Sequence, residues 1–232
     1  MPILYKGNER ILFSHIPKTA GTSLYVWFVE NGWIVANLNL LKNVGIGAVF
    51  DKKFKIWQCQ LEGQLPEKVS VQHSTADITS TWGEFTTKFC IVRHPLTRFV
   101  SELNYCFPGY CKANKINKVN SEVIARYVDH FTHYVVADEY QRKKWTRDNH
   151  IRPQLDFISP GMNVLYFEGD WSRWLKKKFN LAGFPHSYNV SEKPIDINRD
   201  VGDRDKDLLL DFYKEDLDLL GYPKDPKKVI AS

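Results

Sequence analysis

A ten-residue segment near the start of the chain combines residue types that bind a phosphate or sulfate group. Residues His15 to Leu24 read HIPKTAGTSL, follow the apolar run Ile11 to Phe13, and open a stretch with helical spacing. The N–H groups of a helix's first turn have no partners within the helix, so they can bind an anion above the loop. Lys18 adds a positive charge, and Gly21 has no Cβ to block a ligand. The pattern predicts an anion-binding loop between a strand and a helix.

Every residue from Lys18 to Ser23 is a candidate contact for the bound anion. Thr22 and Ser23 carry hydroxyl groups that can donate hydrogen bonds. The candidates are Lys18, Thr19, Ala20, Gly21, Thr22 and Ser23. A solvated turn between a strand and a helix is an alternative interpretation of this cluster, so a second motif has to decide between them.

A second basic motif follows another apolar strand. Residues Phe89 to Val92 are apolar, Arg93 comes directly after them, and Pro95 suits the first turn of a helix. Ligands of open parallel sheets bind at the carboxyl ends of the strands. We therefore expect Arg93 and the anion-binding loop to face the same crevice.

The order of residues in the loop differs from that of the ordinary phosphate loop. That loop reads GxxxxGK[ST], with the lysine after the glycines and a hydroxyl that holds magnesium. Here Lys18 precedes Gly21 in the sequence PKTAGTS. This order resembles the 5′-phosphosulfate loop of sulfotransferases that use 3′-phosphoadenosine 5′-phosphosulfate (PAPS), especially carbohydrate sulfotransferases of the heparan 2-O-sulfotransferase-like type in sulfotransferase family 2.

This resemblance implies a P-loop NTPase-like sulfotransferase fold and a set of residue roles. The sulfuryl group of PAPS would pass to an acceptor hydroxyl on a carbohydrate, leaving 3′-phosphoadenosine 5′-phosphate (PAP). In the family, an arginine and a serine at the spacing of Arg93 and Ser101 bind the 3′-phosphate. Residues Tyr188 to Lys193 resemble the loop that closes over the nucleotide, which makes Ser191 a candidate contact. His94 stands where the family usually has aspartate or asparagine, and we expect it to cap or line the helix start.

Sulfuryl transfer needs a base for the proton of the acceptor hydroxyl, and histidine is the usual one. His73 is the best candidate of the seven histidines because it follows the apolar segment Val69 to Val71. We predict that this segment is a strand, and the resembled family places its catalytic histidine after this strand. Without the cofactor motifs, a packed or capping role would be the better interpretation of His73. Lys18 is the second catalytic candidate, because its ammonium can follow charge onto the departing phosphate.

Two later segments extend the resemblance. Asn149 to Ile158 looks like the arginine-proline-glutamine segment of the family, in which Arg152 or Gln154 could contact the acceptor or order the base. Val164 to Glu168 looks like its late strand ending in a glutamate. We expect no metal, because a sulfuryl group carries less charge than a phosphoryl group and no paired acidic site stands beside the loop.

Strands and helices alternate along the chain without repeats or linkers, which is typical of βαβ units. At 232 residues, one domain over residues 1–232 is the default, with a central, mainly parallel sheet flanked by helices in the α/β class. We make no assignment for residues 37–64. The predicted strands are Ile11 to His15, Val69 to Gln72, Phe89 to Val92 and Val164 to Phe167. The predicted helices begin near Thr22, Pro95, Ser121, Trp171 and Asp203.

Composition excludes several classes. A net charge of +5 suits an anionic cofactor but falls short of the dense basic stripe of a nucleic-acid binder. No apolar run is long enough to span a bilayer, and the N-terminus lacks the pattern of a signal peptide, so we expect a cytoplasmic protein without membrane insertion. The four cysteines include no CxxC pair, which argues against zinc. Cys59 and Cys90 are expected to be buried, while Cys106 and Cys111 flank a predicted loop and could form a disulfide.

Two other functions remain open at this point. A nucleoside-phosphate kinase could use a similar sheet and loop, but the order of Lys18 and Gly21 argues against it. A catalytically silent nucleotide- or glycan-binding module would keep Lys18, Arg93 and Ser101 and would need no base. Replacement of His73 would separate that module from an enzyme.

Overall fold

The strands of the protein form one mixed sheet in the order β3-β1-β2-β4-β5. A computed structural model describes residues 3–35, 70–184 and 195–229. The strands within these ranges are β1 (Ile3–Lys6), β2 (Glu9–Ser14), β3 (Ile34–Val35), β4 (Thr87–Val92) and β5 (Asn163–Tyr166). Strands β2, β4 and β5 run parallel, so their carboxyl ends meet at one edge of the sheet. That edge carries both basic motifs.

The expectation of a mainly parallel sheet is correct for only half of these pairings. β1 runs antiparallel to both β2 and β3. Its pairing with β2 follows from the two-residue connection Gly7-Asn8, in which Gly7 has a φ of 58° and closes a tight hairpin. A connection this short leaves no room for the crossover that a parallel pair requires.

The helices surround this sheet. They are α1 (Gly21–Glu30), α2 (Ala76–Thr79), α3 (Pro95–Ala113), α4 (Ser121–His130), a π-helix (Phe131–Glu139), α5 (Tyr140–Arg142), α6 (Trp171–Phe179), α7 (Ile197–Asp200), α8 (Asp203–Phe212) and α9 (Lys214–Leu219). Short 3₁₀ segments are Val71–His73, Ser80–Trp82, Gln154–Phe157 and Pro226–Lys228, whereas Thr146–Asn149 is a turn with a non-helical backbone at Arg147 and Asp148. All five predicted helix starts are confirmed to within one residue. Among the described residues, no helix is long and apolar enough to cross a membrane.

Both faces of the sheet are buried, as the apolar run of β4 requires. Successive side chains of a strand point to opposite faces. Phe89 and Ile91 pack with residues of α1 and α6, whereas Cys90 and Val92 pack with Phe157 and the residues around α9. The sheet is therefore a rigid layer between helices, and its carboxyl edge holds the loops in fixed positions.

The predicted strand from Val69 to Gln72 is wrong in the part that the structure describes. Residues Val71–His73 form a 3₁₀ turn instead, and α2 follows from Ala76. A short apolar run does not distinguish a strand from a buried turn. Among the described strands, β2 pairs directly with β4, and this segment adds no strand to the sheet. The unassigned stretch 37–64 and Cys59 lie outside the described residues.

The segment between Cys106 and Cys111 is helical, not a loop. Both cysteines lie on α3, which continues through Pro108, and both thiols are free. Leu103 and Phe107 are buried in the core on the helical repeat that begins at Leu96, and this packing outweighs the helix-breaking tendency of the proline. Cys90 is buried as predicted, and burial raises the pKa of its thiol to about 12.

Candidate active site

The anion-binding loop has the predicted form of strand, loop and helix. β2 ends at Ser14 and α1 begins at Gly21. Lys18 and Ala20 have φ values of 69° and 70°, so the backbone turns sharply before the helix. Ala20 occupies the capping position and has no side-chain oxygen to accept from the first turn. The first turn of α1 therefore receives no cap from the Ala20 side chain. That its N–H groups bind an anion stays a prediction.

Gly21 is fixed by its neighbour His15. A Cβ on Gly21 would overlap the His15 imidazole ring. His15 is buried against Phe13 and Tyr25, with ring centroids at 5.6 and 5.3 Å. Burial, followed by the proximity of His73, lowers the pKa of His15 well below its usual value. His15 is therefore a neutral residue that packs inside the loop. Its ring fills the space that a side chain at position 21 would need.

The remaining loop residues differ in what they can offer a ligand. The Thr19 hydroxyl donates to the Ile16 carbonyl oxygen at 2.7 Å and is buried inside the loop. Thr19 can contribute its backbone N–H but not its hydroxyl while this bond persists. Ser23 is buried and Thr22 is partly exposed.

Arg93 meets the loop directly. Its Nη1 donates to the Lys18 carbonyl oxygen at 3.3 Å, and its Nε donates to the Thr97 hydroxyl at 3.2 Å. The guanidinium lies 4.6 Å from the centroid of the Phe167 ring. Burial lowers the pKa of Arg93 somewhat, and Glu168 opposes this effect, so the group stays charged. The two basic motifs thus share one crevice, as the parallel strands predicted.

A line of side chains along α3 borders this crevice. Thr97, Ser101 and Tyr105 are spaced by four residues and therefore share one face of the helix. Thr97 contacts Arg93 at one end of the line. At the other end, the Lys18 ammonium lies 4.1 Å from the Tyr105 ring centroid. Burial lowers the pKa of Lys18. Ser101 is partly exposed between these two contacts, on the face where a ligand of Arg93 would lie.

His94 caps α3, as expected from its position. Its Nδ1 accepts from the Leu96 N–H at 3.2 Å, and its Nε2 donates to the Pro223 carbonyl oxygen at 2.7 Å. Burial lowers the pKa of His94, which favours the neutral form that can accept at Nδ1. The imidazole therefore supplies the acceptor that an aspartate or asparagine would supply at the same place.

His73 lies beside the loop, although it follows a turn and not a strand. It is buried, and its ring centroid is 4.9 Å from that of His15. Its Nδ1 lies 2.8 Å from Oδ2 of Asp148. Burial lowers the pKa of His73 to about 4, although the bond with Asp148 opposes this effect. His73 is neutral at physiological pH and can accept a proton.

A second histidine and carboxylate stand next to the first pair. Nδ1 of His150 lies 2.8 Å from Oε2 of Glu102. The ring centroids of His150 and His73 are 4.8 Å apart. Burial by itself would raise the pKa of Glu102, but the charge and hydrogen bond of His150 lower it to about 2. The crevice thus contains an anion-binding loop, two cations and two histidines that are each paired with a carboxylate.

Comparison with known protein families identifies the family of this chain. A family model described as the sulfotransferase family matches residues 1–223. The chain belongs to the sulfotransferase family. It is a transferase, and sulfuryl transfer is the general reaction of its family. A search of the curated proteins finds no match, and a search of the solved structures finds none either.

Two residues that were predicted to touch the acceptor or the base of this sulfotransferase have other contacts. The Gln154 side chain accepts from the Arg93 N–H at 2.9 Å and donates to the Arg93 carbonyl oxygen at 2.8 Å. Arg152 pairs with Asp156 at 2.7 Å. Gln154 therefore fixes the backbone of Arg93, and neither of these contacts involves His73. Ser191 lies outside the described residues.

The carboxylates of the site have no signal in the local sequence. Asp148 and Glu102 are 75 and 48 residues away from their histidine partners, so no local pattern links them. Tyr105 could have been found from its four-residue spacing with Ser101. His150 was noticed only as part of a later segment. The pairs arise because residues 148–150 contact both the 3₁₀ turn that carries His73 and, through His150, Glu102 of α3.

Within the described residues, two groups have spacings that suit a metal ion. One is His73, Asp148 and His150, and the other is Asp129, His133 and Asp205, with ligand atoms within 4.8 Å of one another in each group. In the first group, His73 and Asp148 already share a hydrogen bond. The expectation that catalysis needs no metal stays a prediction, because these spacings could also hold a metal ion.

Proposed function

We propose that this sulfotransferase transfers the sulfuryl group of PAPS to the hydroxyl of a carbohydrate. The observation that carries the proposal is that Arg93, the anion-binding loop and His73 lie together at one edge of the sheet. Arg93 bonds to the backbone of Lys18, Gly21 contacts His15, and His15 contacts His73. A donor bound by the loop would therefore lie between a cation that recognises phosphate and a neutral base.

The donor is assigned from the charges and donors of the crevice. The N–H groups at the start of α1, together with Lys18, suit the 5′-phosphosulfate. Arg93 and Ser101 suit the 3′-phosphate, since Arg93 presents a planar fork of donors to a phosphate. Arg93 also contacts the loop, so both ends of the donor would be held by one connected group. Ser191 is proposed as a further contact from the resemblance of its segment.

The chemistry follows from the positions of His73 and Lys18. A new S–O bond forms between the acceptor oxygen and sulfur as the S–O bond to the 5′-phosphate breaks. Nε2 of neutral His73 takes the proton of the acceptor hydroxyl. The electron pair of the broken bond stays on the phosphate oxygen of PAP, where the Lys18 ammonium stabilises it. No metal takes part in this scheme.

The carbohydrate acceptor is supported by the resemblance of the two motifs to carbohydrate sulfotransferases. We also propose that residues 1–232 form one sulfotransferase domain. A lipid, a small alcohol or a tyrosine would present the same hydroxyl group to His73, so the acceptor class needs its own test.

The test is a transfer assay with the purified full chain and PAPS labelled in its sulfate. The acceptors are an unsulfated glycosaminoglycan, a simple alcohol and a tyrosine peptide, with His73→Ala as the inactive control. We expect label in the glycosaminoglycan. Label in another acceptor would contradict the carbohydrate assignment. PAP binding without transfer to any acceptor would contradict the enzyme and favour a silent binding module.

A further inference from the structure

We propose that a left-handed turn, residues Arg147 to Asn149, positions His73 for proton transfer, with Asp148 fixing which ring nitrogen carries the proton. Asp148 is a positioning residue, because it acts through His73 and not on the substrate. The catalytic part of this inference rests on the proposed function. The tautomer that it assigns to His73 is a property of the free protein.

The first part of the inference concerns the imidazole ring. The Asp148 carboxylate accepts two hydrogen bonds from Ser70. Its Oδ1 accepts from the backbone N–H, and its Oδ2 accepts from the hydroxyl at 2.8 Å. Burial alone would raise the pKa of Asp148, but its hydrogen bond with His73 lowers it. An ionised carboxylate can only accept hydrogen bonds. The proton between Asp148 and His73 must therefore lie on Nδ1, which leaves Nε2 as the basic nitrogen.

The second part concerns the backbone of His73. The Asn149 amide Nδ2 donates to the His73 carbonyl oxygen at 2.8 Å, and both residues are buried. The His73 N–H in turn donates to the Ser70 carbonyl oxygen at 3.0 Å. Two neighbouring side chains, Asp148 and Asn149, thus hold the ring and the main chain of one residue.

The backbone of the turn is strained. Arg147, Asp148 and Asn149 have φ values of 51°, 53° and 62°, all in the left-handed region. Such a conformation costs on the order of 1 to 2 kcal/mol for each residue that is not glycine, although aspartate and asparagine tolerate it best. Strain of this kind persists only where surrounding contacts overdetermine it, and it clusters at functional sites.

Arg147 anchors the other side of the turn. Its Nη2 donates to Sγ of Cys106 at 3.1 Å, and its guanidinium lies 4.6 Å from the centroid of the Phe131 ring. Cys106 in turn donates to Glu102, the partner of His150. The strained turn is therefore tied to α3 and to the second histidine pair.

The test compares Asp148→Asn with the wild-type full chain. Long-range ¹H–¹⁵N spectra report the tautomer of His73 without any substrate. We expect the Nδ1–H form in the wild type and a shift toward the Nε2–H form in the variant, since an amide can donate to Nδ1. Loss of the carboxylate in such a pair lowers kcat by up to about 10⁴-fold through the wrong tautomer. We expect a loss of at least about 10²-fold, with PAP affinity changed by less than about 2-fold.

Two further variants separate positioning from folding. Asp77→Asn makes the same chemical change at an exposed carboxylate four residues from His73, and should leave both tautomer and kcat unchanged. Asn149→Gly keeps the left-handed backbone accessible while removing the contact with the His73 carbonyl oxygen. Asn149→Gly should lower kcat by roughly 10-fold without changing the tautomer of His73. This variant still tests the positioning of His73 if Asp148→Asn does not fold.

An unchanged tautomer in folded Asp148→Asn would overturn the role of Asp148, whatever the activity. A changed tautomer with full kcat would show that the positioning has no catalytic consequence, and would also overturn the inference. If wild type and His73→Ala transfer sulfate equally, the proposed base fails, yet the spectra still decide whether Asp148 fixes the tautomer. Normal kcat in a folded Asn149→Gly variant would contradict the backbone part.

Discussion

The Arg93 guanidinium donates to the Lys18 carbonyl oxygen at 3.3 Å, across 75 residues of sequence. This bond holds Lys18, one of the two loop residues with a left-handed backbone, and joins the two basic motifs into one group. A ligand that contacts Arg93 is consequently coupled to the conformation of the loop. Changes at Arg93 should affect recognition at both ends of a bisphosphorylated nucleotide.

The first prediction concerns nucleotide selectivity. PAP should bind tightly and ATP poorly, because Arg93 and Ser101 recognise a 3′-phosphate that ATP lacks. Arg93→Ala should weaken PAP binding by about 2 to 4 kcal/mol, since the guanidinium is largely buried and multiply bonded. Calorimetry measures the affinities for PAP and ATP and the effect of Arg93→Ala on them. Arg173→Ala, at a highly exposed arginine on α6, is the control and should have no effect. Equal affinities for PAP and ATP would contradict the proposed donor.

The second prediction concerns the contact between Gly21 and His15. Gly21→Ala should destabilise the protein by about 1 to 3 kcal/mol and weaken PAP binding, because the new methyl group overlaps a buried ring. Chemical denaturation and calorimetry measure the two effects. Gly109→Ala is the matched control, since a Cβ there meets no neighbouring atom and glycine is a poor helix former. Gly109→Ala should be neutral or slightly stabilising. A neutral Gly21→Ala would contradict the packing described for the loop.

The third prediction concerns the base. His73→Ala should bind PAP almost normally and lower turnover by about 10² to 10⁴-fold. The corresponding change at exposed His130 should leave turnover intact. Because burial lowers the pKa of His73 to about 4, the neutral form that accepts a proton persists down to that pH. The value of kcat/KM should therefore fall only as the pH drops through about 4. A fall in kcat/KM near the usual histidine pKa would contradict the assignment of His73 as the base.

The fourth prediction concerns Glu102 and acid stability. Its folded pKa of about 2 lies below the ordinary value of 4.5. A lowered carboxylate pKa contributes stability that is present above the unfolded value and is lost as the pH falls toward the folded value. Glu102→Gln should thus cost roughly 3 kcal/mol of unfolding free energy at neutral pH, and the difference should shrink between pH 4.5 and 2. Glu122→Gln, at an exposed position of α4, should show no such dependence. A pH-independent loss would contradict the lowered pKa of Glu102.

The fifth prediction concerns metal ions. Treatment with EDTA should leave the rate of sulfuryl transfer unchanged, because His73 and Lys18 supply the base and the charge stabilisation. Added Zn²⁺ should inhibit, since it would compete for the basic nitrogen of His73. Initial rates in metal-free buffer measure both effects. Loss of activity with EDTA that Mg²⁺ or Zn²⁺ restores would overturn metal-free transfer.

Local sequence patterns were sufficient wherever a motif followed a long, regular element. The apolar runs before Lys18 and Arg93 predicted parallel strands, and their order along the chain placed both cations at one edge. The starts of α1 and α3 were visible from glycine, proline and helical spacing. Short elements were not predictable in this way. The sequence pattern predicts neither β1 nor β3 and favours a strand where His73 ends a turn, because a few apolar residues fit either structure.

The sequence by itself pointed to the family, predicted the strand, loop and helix around Lys18, and offered His73 as the candidate base, because these depend on residue types within a few positions of each other. Only the tertiary structure decided what holds His73. Its partner Asp148 and their neighbours Glu102 and His150 come from distant segments, and a contact across 75 residues leaves no periodicity in the chain. The left-handed turn is equally invisible, since its backbone angles result from surrounding contacts and not from glycine. Packing around the crevice, and not local propensity, therefore sets the geometry of His73.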